Sequence, residues 1–127
     1  MFAKDVTAIN GIGIDAVEVD RIAAALQRRP ALLTRLFTQQ EQQSAAGDPQ
    51  RLAARFAAKE AAMKALGTGI GGLGWKDVEV VREDSGAPRL NVTARAKELA
   101  TSQGVTKWHV SLTHIANMAM AVVVTER

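Results

Sequence analysis

The chain has 127 residues, 47% hydrophobic and 23% charged, with a formal net charge of +3, which suits one domain over 1–127 and excludes disordered and low-complexity classes. It contains no cysteine, so disulfides, thiolate metal sites, iron–sulfur clusters and cysteine nucleophiles are excluded. The longest apolar run, 118–124, falls far short of the roughly 20 residues of a membrane span, and 1–10 lacks the apolar segment of a signal peptide; the expectation is a soluble, cytoplasmic protein.

In chain order, residues 12–17 alternate, with Ile12, Ile14 and Ala16 on one face and Gly13, Asp15 and Val17 on the other, which predicts a strand. Asp20 is the expected N-cap of a short helix over 21–29, stopped by Pro30. Leu32, Leu33, Leu36 and Phe37 supply a further apolar helical face. Thr38 and Glu41 have capping-box spacing, and that helix should stop at Gly47. Asp48 as N-cap and Pro49 at the first helical position start a long alanine-rich helix over 49–66, ended by Gly67. Strands are expected around 78–80 and 89–92, joined by a turn at 84–88. A helix over 93–103 ends at Gly104, and strands around 108–112 and 118–125 follow, linked through 114–117. The sum is an α+β fold, a small antiparallel sheet beside a long helix.

Gly67-Thr68-Gly69-Ile70-Gly71-Gly72 matches a dinucleotide fingerprint literally, but it follows a helix instead of connecting a strand to one, which argues against a Rossmann site; the loop after Gly67 reads as a helix-to-strand connection or as a source of backbone amides for a phosphate. The long helix is more informative. Phe56, Glu60 and Lys64 are spaced four apart and share a face, with Lys59 and Met63 beside it. An acid and two lysines on an alanine-rich helix read either as a surface ion pair or as a ligand site. Asp15, flanked by Ile14 and Ala16, is a costly carboxylate on an apolar strand. Asp15 with Glu60 would make a minimal Mg²⁺ site whose open positions take phosphate oxygens. His114 at a strand end reads as a phosphate contact or as a solvated loop residue. From 21 to 40 there are four arginines, Arg21, Arg28, Arg29 and Arg35, and no acid, and Arg21 and Arg28 share a helical face. That strip suits an acidic partner.

Residues 11–22, GIGIDAVEVDRI, resemble the first signature of the holo-acyl-carrier-protein synthases, and 55–69, RFAAKEAAMKALGTG, resemble the second. Gly86-Ala87-Pro88 and Val110-Ser111-Leu112-Thr113-His114 are similar to two further family segments in the same order. The resemblance spans nearly the whole chain. It implies a small, homotrimeric 4′-phosphopantetheinyl transferase of fatty acid biosynthesis, which moves phosphopantetheine from coenzyme A to a serine of apo acyl carrier protein and releases adenosine 3′,5′-bisphosphate. It implies that Asp15 and Glu60 hold Mg²⁺, and that Asp15, Glu60 and Lys64 are catalytic. Lys59 and Lys64 are expected at the diphosphate, Gly67, Thr68, Gly69 and Pro88 around the nucleotide, and Arg55 and His114 near the 3′-phosphate. Arg21, Arg28 and Arg29 are expected to receive the acidic carrier. Glu60, a metal-bound water or Glu41 are each possible bases for the serine proton. Two other readings rank below it. One is a binding module using the arginine strip, although 4% aromatic content argues against nucleic-acid stacking; the other is a metal-dependent nucleotide hydrolase.

Overall fold

β1 (Ile9–Glu18) opens the fold in the computed structural model, which describes residues 8–69 and 71–127. The segment read as lacking a signal peptide therefore lies largely outside the described residues, as does Ile70 of the glycine-rich loop. Three short helices follow: α1 (Val19–Arg28), α2 (Leu32–Leu36) and α3 (Gln39–Ala45). The long helix α4 (Pro49–Ala65) leads, through a 3₁₀ turn at Trp75–Asp77, to β2 (Val78–Arg82) and β3 (Pro88–Val92). α5 (Ala94–Ser102), β4 (Lys107–Ile115) and β5 (Met118–Glu126) complete the chain. The α+β class is as expected, but the strands form two sheets: β2 and β3 pair as a separate hairpin, and the other three make a sheet in the order β1-β5-β4.

Most helix ends follow the local chemistry of the sequence. The Thr38 hydroxyl accepts from the Glu41 amide and Glu41 Oε1 accepts from the Thr38 amide, a complete capping box. Asp48 accepts from the Gln50 amide and Pro49 occupies the first position of α4. Gly67 closes α4 at φ +74°, a conformation that would strain any residue with a Cβ. α2 and α5 start without a side-chain cap, and α1 departs furthest from expectation. It begins two residues before the expected start, its N-cap is Glu18, and Glu18 makes no capping bond. Asp20, expected to cap the helix, lies inside its first turn.

The face of β1 that packs inward is the glycine face. A Cβ built on Gly13 would lie 1.8 Å from the Ala61 carbonyl oxygen, and one on Gly11 equally close to that of Ala65. Glycines on the strand and alanines on α4 therefore bring the two backbones together more closely than other side chains permit. Ala57, Ala58, Ala61, Ala62 and Met63 join Val78, Val80, Leu90 and Val123 in the main core. The opposite face of β1 and β5 is apolar and, among the described residues, uncovered, while β4 adds the polar His109, Ser111 and Thr113 to it. β1 and β5 pair through Ile12–Val124, Ile14–Val122 and Ala16–Met120, so these side chains share that face. Ile12, Ile14 and Met120 are 60%, 57% and 37% exposed.

Candidate active site

Two concave regions flank α4. The first, about 510 Å³, is lined by Asp15 from β1, Arg21 and Arg28 from α1, Phe56 and Glu60 from α4, and Met118 from β5. The second, about 440 Å³, gathers Arg51 and Arg55 from α4, Arg82 from β2, Pro88 from β3 and His114 from β4. Five residues at 100° each separate Arg55 from Glu60 by about 140° around the helix axis, so the two regions open on different sides.

In the first region the strand and helix bring Asp15, Glu60 and Lys64 together. Lys64 Nζ donates to Asp15 Oδ1 at 3.1 Å and to the Ile14 carbonyl at 2.9 Å. Asp15 Oδ2 is buried with no hydrogen-bond partner. The Glu60 carboxyl is pushed up to about 7, by burial first and then by hydrogen bonding to and repulsion from Asp15, with Lys64 opposing. Two mutually repelling carboxylates with an orphaned oxygen fit a hard divalent cation. Among the described residues no group of three or more His, Cys, Asp or Glu gathers, so the protein offers this pair and leaves other coordination positions to water or a ligand. Arg21 and Arg28 line the same cleft, as their shared helical face predicts. Arg29 does not; it is exposed at the C-cap of α1.

The second region is strongly cationic. Arg55 is buried, with Nη1 donating to the Arg51 carbonyl and Nη2 to Ser44 Oγ, while its Nε is buried without a partner. Burial lowers its pKa, repulsion from Arg82 and Arg51 adds to that, and Glu41 opposes. An unpartnered buried guanidinium donor beside two further arginines and a histidine is a site for an anion. Arg51 and Arg82 were not anticipated from the sequence. Arg51 precedes Arg55 by one helical turn and its spacing could have suggested it; Arg82 arrives from a distant strand, which no local pattern reveals.

Two expectations are corrected. Lys59, expected at a diphosphate, is wholly buried, and its ammonium donates to Glu41 Oε1 at 2.8 Å, the Val78 carbonyl at 2.7 Å and the Trp75 carbonyl at 3.0 Å. All three of its protons are occupied, so it has none for a phosphate. Glu41, one candidate base, is also wholly buried, and its oxygens accept from Lys59, the Thr38 amide and the Val80 amide. The Gly67 and Thr68 amides donate back to the Lys64 and Met63 carbonyls and close α4.

Among the described residues no helix is long and apolar enough to cross a membrane. Residues 11–123 match a family model described as the 4′-phosphopantetheinyl transferase superfamily. A holo-[acyl-carrier-protein] synthase from Streptomyces avermitilis is 52% identical over 122 residues, covering 94% of this chain and 98% of the relative. Among solved structures, the Helicobacter pylori holo-[acyl-carrier-protein] synthase in complex with coenzyme A superposes with a TM-score of 0.82 at 32% identity, over 90% of this chain and 98% of the other. The Neisseria meningitidis holo-[acyl-carrier-protein] synthase gives 0.86 at 32% identity, over 94% and 100%.

Proposed function

Because this chain belongs to the 4′-phosphopantetheinyl transferase superfamily, among its holo-[acyl-carrier-protein] synthases, we propose that the two regions flanking α4 hold opposite ends of one coenzyme A. The chain is a phosphopantetheinyl transferase, and its reaction moves phosphopantetheine from coenzyme A to acyl carrier protein in fatty acid synthesis. We read 1–127 as one transferase domain, and the family match over 11–123 supports that.

The observation that carries the reading is the division of charge. The carboxylates Asp15 and Glu60 lie on one side of α4, and the arginine pocket lies on another. Asp15 and Glu60 are the residues that would hold Mg²⁺, which when bound neutralises diphosphate oxygens. Lys64 adds a point charge beside them, half-exposed and so able to turn from Asp15 toward a phosphate. Arg55, with Arg51, Arg82 and His114, receives the 3′-phosphate, and Pro88 lines the nucleotide's side of the pocket. The serine hydroxyl gives its proton to the Glu60 carboxylate or to a water as its oxygen forms a bond to the phosphorus that carries the pantetheine arm, the bond to the bridging oxygen breaks, and adenosine 3′,5′-bisphosphate leaves. The protein supplies in-line positioning and neutralised charge for that displacement. Arg21 and Arg28, on the rim of the carboxylate cleft, present positive charge to an acidic carrier.

A single coenzyme A meets both sides of α4 most simply when a second copy of the chain supplies one of them. The exposed apolar face of β1 and β5 supports such self-association, and we assign the assembly as the homotrimer that the family resemblance implies. The test is intact mass spectrometry of an apo acyl carrier protein incubated with the enzyme, coenzyme A and Mg²⁺. One phosphopantetheine should be added per carrier, and both a chelator and Glu60→Ala should abolish the addition. Unmodified carrier with coenzyme A consumed would replace the transferase reading with hydrolysis.

A further inference from the structure

The first turn of α1 is held from the other end of the chain. Its N-cap residue, Glu18, has extended backbone geometry but makes no side-chain capping bond. Two orphan amides of the turn go instead to Asn117, in the turn between β4 and β5. The Val19 amide donates to the Asn117 carbonyl at 2.9 Å, and the Asp20 amide donates to Asn117 Oδ1 at 2.8 Å. Asn117 is itself fixed. Its neighbour Ala116 sits at φ +36°, an unusual conformation for a residue with a Cβ, and Gln50 Nε2 of α4 donates to the Ala116 carbonyl at 2.8 Å.

We propose that Asn117 is a positioning residue for carrier docking: by capping α1 in trans it holds Arg21 over the carboxylate cleft. Arg21 lies in the capped first turn, one residue beyond Asp20, and lines the cleft with Arg28 from the last turn. A helix whose first amides lack acceptors frays from that end. Arg21 then leaves the cleft's rim for part of the time, while Arg28 remains in place. Docking to a fraction of competent molecules weakens apparent affinity by that fraction. The strands on either side of that turn carry His114 at the arginine pocket and Met118 at the carboxylate cleft, so the turn lies beside both.

The inference rests on α1 receiving the carrier, and the experiment separates the two ideas. Steady-state rates are measured with carrier and coenzyme A varied in turn, for the wild type, Arg21→Ala, Asn117→Ala, Asn117→Asp and the double variant Arg21→Ala/Asn117→Ala. Asn117→Ala should raise KM for the carrier, by up to roughly fivefold, the limit set by one lost cap. KM for coenzyme A and kcat at saturating carrier should stay at the wild-type values. Asn117→Asp keeps an acceptor at the helix N-terminus and should restore the carrier KM. In the double variant the two effects should fall short of multiplying, because both act through Arg21. Should Asn117→Ala not fold, Asn117→Gln displaces the acceptor by one methylene and is expected to raise the same KM. An unchanged carrier KM, or an equal rise for both substrates, in a variant that folds overturns the role of Asn117. An Arg21→Ala enzyme with unchanged carrier KM overturns the docking reading itself.

Discussion

Glu60 keeps its proton to about pH 7 in the metal-free fold, against a usual 4.5, because it is buried beside another carboxylate, Asp15. An acid whose pKa is raised by folding binds its proton more tightly in the folded chain. Its stabilising contribution is full below pH 4.5 and is lost as the pH rises through 7. Glu60→Gln, which cannot ionise, should therefore leave the metal-free melting temperature near wild type at pH 5 and raise it at pH 8. Calorimetry at the two pH values checks this, and equal shifts at both would contradict it. Added Mg²⁺ at pH 8 should then stabilise the wild type more than the variant. Lys59 illustrates a different use of charge. With Glu41 it forms a fully buried ion pair that joins α3, α4 and β2. Lys59→Met leaves the Glu41 carboxylate buried and unpaired, which should cost about 3–5 kcal/mol in urea denaturation. The double variant Lys59→Met/Glu41→Gln, which removes both charges, should recover part of that loss.

The contact between β1 and α4 decides whether the carboxylates meet at all. Asp15 on the strand reaches Glu60 and Lys64 on the helix because Gly11 and Gly13 let the backbones close together. Gly13→Ala would drive a Cβ into the Ala61 carbonyl, and neither backbone can yield without moving the strand. It should destabilise the fold by roughly 3 kcal/mol, read in chemical denaturation, and abolish transfer even where the chain remains folded. Helix ends were legible wherever capping is local. The Thr38–Glu41 box and the Asp48-Pro49 start hold over a few residues, and such bonds are written in adjacent positions. The start of α1 was not legible, because its cap, Asn117, comes from 97 residues away.

At the scale of the whole molecule, the exposed apolar face of β1 and β5 and the proposed division of the site around α4 both argue for a second copy. Glu60→Ala and Arg55→Ala should each be inactive alone. If each site takes its carboxylates from one subunit and its arginines from the next, subunits of the two variants mixed in equal amounts by unfolding and refolding should regain roughly a quarter of wild-type activity. No regain would show that one chain supplies both halves. By itself the sequence determined the α+β class and most helix boundaries, and its family-like segments singled out Asp15, Glu60, Lys64, Arg55 and His114 as candidate site residues. Those features are encoded by capping, periodicity and short motifs, which act over a few residues. Only the tertiary structure decided which of two neighbouring charges reaches the cleft, Glu60 at its wall and Lys59 in the core. It also turned the isoleucines of β1 outward and the glycines inward. An alternating strand offers two faces, and which one is buried depends on what packs against it; here that is α4, whose close approach only the glycine face permits.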